Sequence, residues 1–200
     1  MRTVGNVVYV ELESELEDKI KTESGLELEL AADFDLYNNA KQEGTVFACN
    51  EGLTDRFGVR EGDIIYFHHF VPVAQTTHSY YESQAEDVEG KKLYKAFMPE
   101  QVYGYTRPGE NTVHMVSHWN FVQPIKIMPE KTSTGIFLTS IEEKEAFQEG
   151  TLKYINDELR ALGCKPGDRV RFSEDSEYEM NILGEKLWRM RNEDILAMIV

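Results

Sequence analysis

Apolar positions fall in short runs broken by glycine, proline and acidic residues, and no long helical stripe develops. Val7-Val8-Tyr9-Val10-Glu11-Leu12 is β-branched and aromatic, which predicts a strand. Residues 13–24 are charged and predict a long exposed loop. A short helix competes there, because Leu12, Leu16 and Ile20 are four apart. Leu26-Glu27-Leu28-Glu29-Leu30 alternates strictly, as a half-buried strand or an extended binding segment does. Thr45-Val46-Phe47-Ala48-Cys49 predicts a strand, Asn50-Glu51-Gly52 a turn, and Ile64-Ile65-Tyr66-Phe67 a buried strand after the tight turn Arg60-Glu61-Gly62-Asp63. Residues 73–90 are polar and aromatic and predict a long loop or widened hairpin. Leu93-Tyr94-Lys95-Ala96-Phe97 and Val102-Tyr103-Gly104-Tyr105 close this half. In the second half, Pro124-Ile125-Lys126-Ile127-Met128 opens a new series of strands. Residues 142–148 and 156–162 each predict a helical turn or two, and residues 185–191 and 194–200 predict the last strands. Many short strands, Gly-rich turns and little helix predict small β-barrels.

Landmarks of the first half return in the second in the same order. Ser24-Gly25-Leu26-Glu27-Leu28 is echoed by Thr134-Gly135-Ile136-Phe137-Leu138, and Glu43-Gly44-Thr45-Val46 by Glu149-Gly150-Thr151-Leu152. The block from Val59 to Phe67, with Gly62-Asp63 at its centre, is echoed by that from Cys164 to Phe172, with Gly167-Asp168. Lys92-Leu93-Tyr94 is echoed by Lys186-Leu187-Trp188. One ordered set found twice predicts a duplicated unit whose loops changed length. The expected boundaries are residues 1–106 for the first unit, 107–121 for a linker around Arg107-Pro108-Gly109, and 122–200 for the second.

Charge removes some partners. The chain carries 36 acidic against 21 basic residues, a formal charge of −15 over 200 residues. Phosphate backbones and anionic membrane surfaces are bound through Lys and Arg clusters, so neither nucleic acid nor membrane is an expected partner. The two cysteines, Cys49 and Cys164, fall in different halves without a CxxC, which predicts free thiols in a reducing compartment. With no apolar N-terminal region and no run of transmembrane length, the expected location is the cytoplasm.

In the second half, the ordered pieces resemble the GroES-type co-chaperonin family. Lys131-Thr132-Ser133-Thr134-Gly135 precedes the apolar tripeptide Ile136-Phe137-Leu138, as in that family's mobile loop. Glu149-Gly150-Thr151-Leu152 follows, then Lys165-Pro166-Gly167-Asp168-Arg169-Val170-Arg171-Phe172, then Asn192-Glu193-Asp194-Ile195-Leu196-Ala197-Met198-Ile199-Val200. The first half is similar more loosely, since Glu27 puts a charge where the tripeptide is apolar. The resemblance implies an all-β chain of two tandem GroES-like small β-barrels. It implies a homo-oligomeric ring that caps an ATP- or ADP-bound GroEL-type chaperonin while a client folds inside. The lid is expected to be non-enzymatic, with no catalytic residue, no cofactor and no metal.

The resemblance places chaperonin binding on Ile136, Phe137 and Leu138, with Leu26 and Leu28 second. Burying Ile136 and Leu138 would gain roughly 1.5–3 kcal/mol each. Ordering the loop costs roughly 1–2 kcal/mol per residue. One loop therefore binds weakly, and a ring of loops binds through effective concentration. In an extended segment Leu26 and Leu28 share a face, leaving Glu27 on the other. The spans 50–58 and 155–163 are shorter than the roof hairpin many family members carry, which implies a more open dome. A two-unit chain also cannot supply seven units, the usual ring, from whole chains.

Other chemistry is weaker. His114 and His118 have i,i+4 spacing, but the intervening residues look extended, and His68 and His69 would face opposite sides of a strand. Asp63 and Asp168, at matched turns, are expected to cap them through backbone hydrogen bonds. Tyr94 and Trp188 are expected in the core or in packing between units, while Tyr80, Tyr81, Tyr103 and Tyr105 are candidates for an interface or for half-buried strand positions. Two alternatives stand beside the co-chaperonin: an oligomeric scaffolding protein reusing the barrel, and the barrel domain of an alcohol dehydrogenase. The second lacks the G-x-G-x-x-G of a dinucleotide domain.

Overall fold

The computed structural model describes residues 3–15, 19–21, 27–29, 39–73, 85–88, 90–127 and 144–199. The chain divides into two compact units, Met1–Ser117 and His118–Val200.

The first unit runs β1 (Val7–Glu11), β2 (Lys19–Lys21), β3 (Glu27–Glu29), β4 (Glu43–Ala48), α1 (Glu51–Phe57), β5 (Ile64–Phe67), α2 (Phe70–Val73), β6 (Ala85–Val88), β7 (Lys91–Phe97), β8 (Val102–Thr106) and β9 (His114–Met115). Seven of these strands form one antiparallel sheet in the order β6-β7-β1-β4-β5-β8-β9, and β2 pairs β3 separately. Strand alternation sends Val8 and Val10 of β1 inward, where both are fully buried with Val46, Ile65, Phe67, Tyr94 and Val102. Asn50 starts α1 by accepting the Leu53 N–H on its side chain, and Leu53 drops into the core. The helix ends at Gly58, whose φ of 80° a side chain would oppose.

The second unit runs β10 (Trp119–Ile127), β11 (Lys144–Tyr154), α3 (Asp157–Ala161), β12 (Arg169–Phe172), β13 (Tyr178–Ile182), β14 (Glu185–Arg191), a 3₁₀ turn at Asn192–Asp194, and β15 (Ile195–Met198). Its antiparallel sheet has the order β13-β14-β10-β11-β12-β15. Its core gathers Val122, Leu152, Leu159, Val170, Phe172, Trp188 and Met190. Trp188 meets Phe172 edge-on with ring centroids 5.6 Å apart.

The two sheets share more than strand order. The register slips between Tyr9 and Val10 on β1 and between Phe121 and Val122 on β10. It slips again at Tyr66/Phe67 and at Arg171/Phe172. Gly44 and Gly150 both lie where a Cβ would meet a core valine, at 2.5 Å from Val10 Cγ1 and 2.4 Å from Val122 Cγ1. Asn156 caps α3 as Asn50 caps α1, accepting the Leu159 N–H at 2.9 Å. The turn aspartates act as expected: Asp63 Oδ2 accepts the Arg60 N–H, and Asp168 Oδ2 the Lys165 N–H, each at 2.8 Å. Gly62 and Gly167 then donate their N–H groups to Val46 and Leu152 carbonyls.

Some expectations are corrected. Neither sheet closes into a barrel among the described residues; each is an open ladder with β6 and β9, or β13 and β15, at its ends. Residues 51–57 are helix where a turn was expected at residues 50–52, and residues 144–148 are strand rather than helix. Residues 107–121, expected as a linker, hold β9 and the start of β10, with Val113, Val116, Trp119, Asn120 and Phe121 buried. Within the described part of residues 13–24, Lys19–Lys21 is a strand. Of the two readings for Tyr103 and Tyr105, the strand position holds: both lie on β8, buried rather than half-buried. His68 leaves β5 into a turn, so its ring meets that of His69 at 4.1 Å instead of opposing it across a strand.

Candidate functional site

The principal docking residues of the sequence reading, Ile136, Phe137 and Leu138, lie outside the described residues, as does Leu26. Leu28 lies at the centre of β3, in register with Ile20 of β2. The structure therefore defines the bases of the two excursions that carry these residues. In each unit the excursion connects the central strand to its neighbour, β1 to β4 and β10 to β11.

In the second unit the ladder runs to the base itself. Lys126 pairs with Glu145 and Ile127 with Lys144, so residues 128–143 leave and return on adjacent strands. Ile127 and Phe147 are exposed apolar side chains at this base, Phe147 at 75%. Gln148 follows in a left-handed conformation, φ 52°, that interrupts the ladder. Lys186 of β14 bridges the base from the side, with Glu145 at 3.0 Å and Glu179 at 2.7 Å. The Glu179 hydrogen bond, followed by that of Glu145, outweighs burial and holds the Lys186 ammonium above the ordinary lysine range.

In the first unit a different clip closes the base. Lys41 donates its backbone N–H to the Glu15 carbonyl at 2.9 Å. The Glu15 carboxylate accepts from Lys92 Nζ and Tyr94 Oη. Lys92 occupies the same place on β7 as Lys186 on β14, but it grips the departing arm where Lys186 grips the returning one. Burial, with the Glu15 bond second, pushes the Tyr94 hydroxyl up to about 12. Burial also raises the Glu15 carboxyl, yet the Lys92 and Tyr94 bonds together hold it below its usual range. A depressed carboxyl stabilises the folded base above the ordinary carboxylate range and loses that contribution as pH falls through its own lower value. Hydrogen-exchange protection of the Lys41 amide is expected to drop as pH passes down through this window. In Glu15→Gln the protection should be lower and no longer follow pH there. An unchanged profile would remove the clip.

Sequence reading found Lys92 and Tyr94 only as part of a repeated landmark and missed Glu15. The signal was the acidic run after β1, which reads as solvated charge until a basic partner is placed beside it. Among the described residues, His114 and His118 make no metal face. His114 Nε2 lies 2.7 Å from Glu110 Oε2 and its ring stacks on Tyr105, while His118 packs on Trp119. No group of three metal-ligating side chains occurs among the described residues. Cys49 is half-buried and Cys164 buried, both as free thiols. Burial pushes the Cys49 thiol up, away from the reactive thiolate. No helix among the described residues is long and apolar enough to cross a membrane.

The family match falls on the second unit. Residues 121–199 match the family described as Chaperonin 10 Kd subunit. Co-chaperonin GroES from each of two strains of Acidithiobacillus ferrooxidans is 37% identical over 76 residues, 35% of this chain and 79% of the relative. The matched region begins at Phe121, on the central strand, and runs through β15, so it takes in every strand of the second sheet and the excursion between β10 and β11. Through this unit, the chain belongs to the chaperonin 10 Kd subunit family of GroES co-chaperonins.

Proposed function

We propose that the chain is a tandem co-chaperonin that assembles into a ring-shaped lid and docks on a GroEL-type chaperonin during ATP-dependent protein folding. The observation that carries this is the family match over residues 121–199, with an apolar tripeptide in the excursion between β10 and β11. Ile136, Phe137 and Leu138 enter an apolar groove on the chaperonin, and Leu26 and Leu28 are the secondary contact. The lid supplies no chemistry; the chaperonin hydrolyses the nucleotide. The setting is the cytoplasm.

The first unit is a diverged copy of the second. Supporting this are the shared strand order, the two shared register slips, the paired asparagine caps and the paired turn aspartates. The units are residues 1–117 and 118–200, close to the repeat read from sequence. The two loops are not equivalent. The first carries the β2–β3 pairing and a charged Glu27 between its leucines, so it contributes less apolar contact. Helices α1 and α3 occupy the spans expected to be short. Neither forms a roofing hairpin, so the dome is more open than in lids that have one.

The test is nucleotide-dependent co-migration with a GroEL-type chaperonin. Binding in one nucleotide state and release in another supports the lid, and indifference to the chaperonin in all states refutes it.

A further inference from the structure

Exposed apolar side chains gather at one end of the second sheet. Phe147 is 75% exposed, Ile127 52% and Leu183 43%. Ile127 closes the β10–β11 ladder opposite Lys144. Phe147 stands on a bulge of β11. Between the Lys126–Glu145 and Pro124–Gly150 pairs, β10 has only Ile125, while β11 has Ala146, Phe147, Gln148 and Glu149. Ala146 is buried and Gln148 is left-handed, which leaves Phe147 outward between them. Leu183 lies at the tip of the β13–β14 hairpin, itself left-handed with φ 52°. That tip belongs to the same end. Lys186, paired with Asn181 just inside the tip, reaches Glu145 at 3.0 Å and so ties the hairpin to the returning arm.

The fold does not require apolar residues at these three places, because the first unit does without them. Gln42-Glu43-Gly44-Thr45 repeats as Gln148-Glu149-Gly150-Thr151, which sets Lys41 against Phe147. The shared register slip sets Val10 against Val122 and, five residues on in each, Glu15 against Ile127. Lys92 matches Lys186 and, three residues earlier in each, Glu89 matches Leu183. Three charged positions of one copy are apolar in the other. Apolar side chains clustered on an exposed end mark a surface that another molecule covers.

The occupant follows from what leaves at this end. Residues 128–143, which carry Ile136, Phe137 and Leu138, depart after Ile127 and return at Lys144. A partner that holds the tripeptide is therefore brought against this end of the sheet. We infer that Ile127, Phe147 and Leu183 form a second contact with the chaperonin, on an apolar surface beside the groove that takes the tripeptide. The inference rests on the lid reading above and extends it from the excursion to its base. The three side chains sit on paired strands and a hairpin tip, so burying them requires less ordering than burying the tripeptide does. The contact adds to the tripeptide and does not replace it. It also makes the units unequal, since the first has charges at the matching positions.

Phe147→Ser with Leu183→Ser tests this in the full chain. Neither side chain is in the core around Val122 and Phe172, so native mass and melting curve should match the wild type. In the nucleotide state that supports binding, the variant should hold the chaperonin about tenfold or more weakly, since each lost side chain forfeits apolar burial. As a second arm, hydroxyl-radical footprinting of the wild type should oxidise Phe147 in the free protein and spare it in the complex. Wild-type affinity in the variant, or equal oxidation of Phe147 in both states, would overturn the second contact. Protection of Phe147 in the free protein would also overturn it, by showing a second copy of the chain as the occupant. Failure of the lid reading looks different. A wild type that ignores the chaperonin in every nucleotide state removes the lid and this contact together, whereas equal binding by wild type and serine variant removes the contact alone.

Discussion

Ile136→Ser combined with Leu138→Ser should abolish co-migration with the chaperonin while leaving the protein folded. Each substitution forfeits roughly 1.5–3 kcal/mol of apolar burial at the contact. Together that is roughly 10²–10⁴-fold in affinity for one loop. Because loops on a ring bind through effective concentration, the loss compounds with every loop engaged. The substitutions leave the sequence of the described cores, around Val122 and Phe172 and around Val10 and Ile65, unchanged, and the expected melting temperature is that of the wild type. The matched double substitution Leu26→Ser with Leu28→Ser should weaken docking less, since Glu27 already divides that apolar run. Full binding by the Ile136/Leu138 variant would refute the assignment of the docking residues.

Asn156→Ala should be the most destabilising single polar change in the second unit, by about 2–4 kcal/mol. This side chain caps α3 through Leu159, a contribution of about 1 kcal/mol. Its amide also donates to the Trp119 carbonyl at 3.2 Å and to Asn192 Oδ1 at 2.8 Å. Asn120 completes the network, donating to Asn192 and accepting the Asn156 backbone N–H. Removing one member leaves the buried Trp119 carbonyl without that donor, at about 1–3 kcal/mol. Asn50→Ala, at the matching cap, should cost only about 1 kcal/mol. Its amide serves Thr3 Oγ1 and the Gly5 carbonyl, in a more accessible setting. Urea unfolding of the two variants checks the difference, and equal losses would show that the asparagine network adds nothing beyond the cap.

Part of this organisation is readable from residue order because the same steric demands recur. A glycine opposite a core valine, a glycine and aspartate at the turn into the third strand, and a Lys-Leu-aromatic strand each leave a mark in sequence. Those marks predicted strands β4, β5, β7 and β14, matched β4 and β5 to echoes at residues 149–152 and 164–172, where β11 and β12 lie, and gave the turn-capping role of Asp63 and Asp168. Short helices left almost none. Helix α1 buries only Leu53, so Asn50-Glu51-Gly52 reads as a turn until the Asn50 cap is seen. The start of β10 was hidden because Trp119-Asn120-Phe121 follows a Pro-Gly segment that reads as linker. Its burial depends on β11 and β14, which come later in the chain. The Glu15 clip was hidden for a similar reason: its partners Lys92 and Tyr94 lie on β7, brought alongside by β1. Edge closure is equally non-local, since a strand of two residues, β9, decides whether β8 is covered.

The most direct test of the lid assignment is the native mass of the protein alone and with a GroEL-type chaperonin, in the presence of ATP, of ADP and of no nucleotide. The account predicts a multimer that joins the chaperonin only when nucleotide is bound and leaves when it is removed. A folded protein whose mass is the same in all three conditions, with no chaperonin complex, would contradict it.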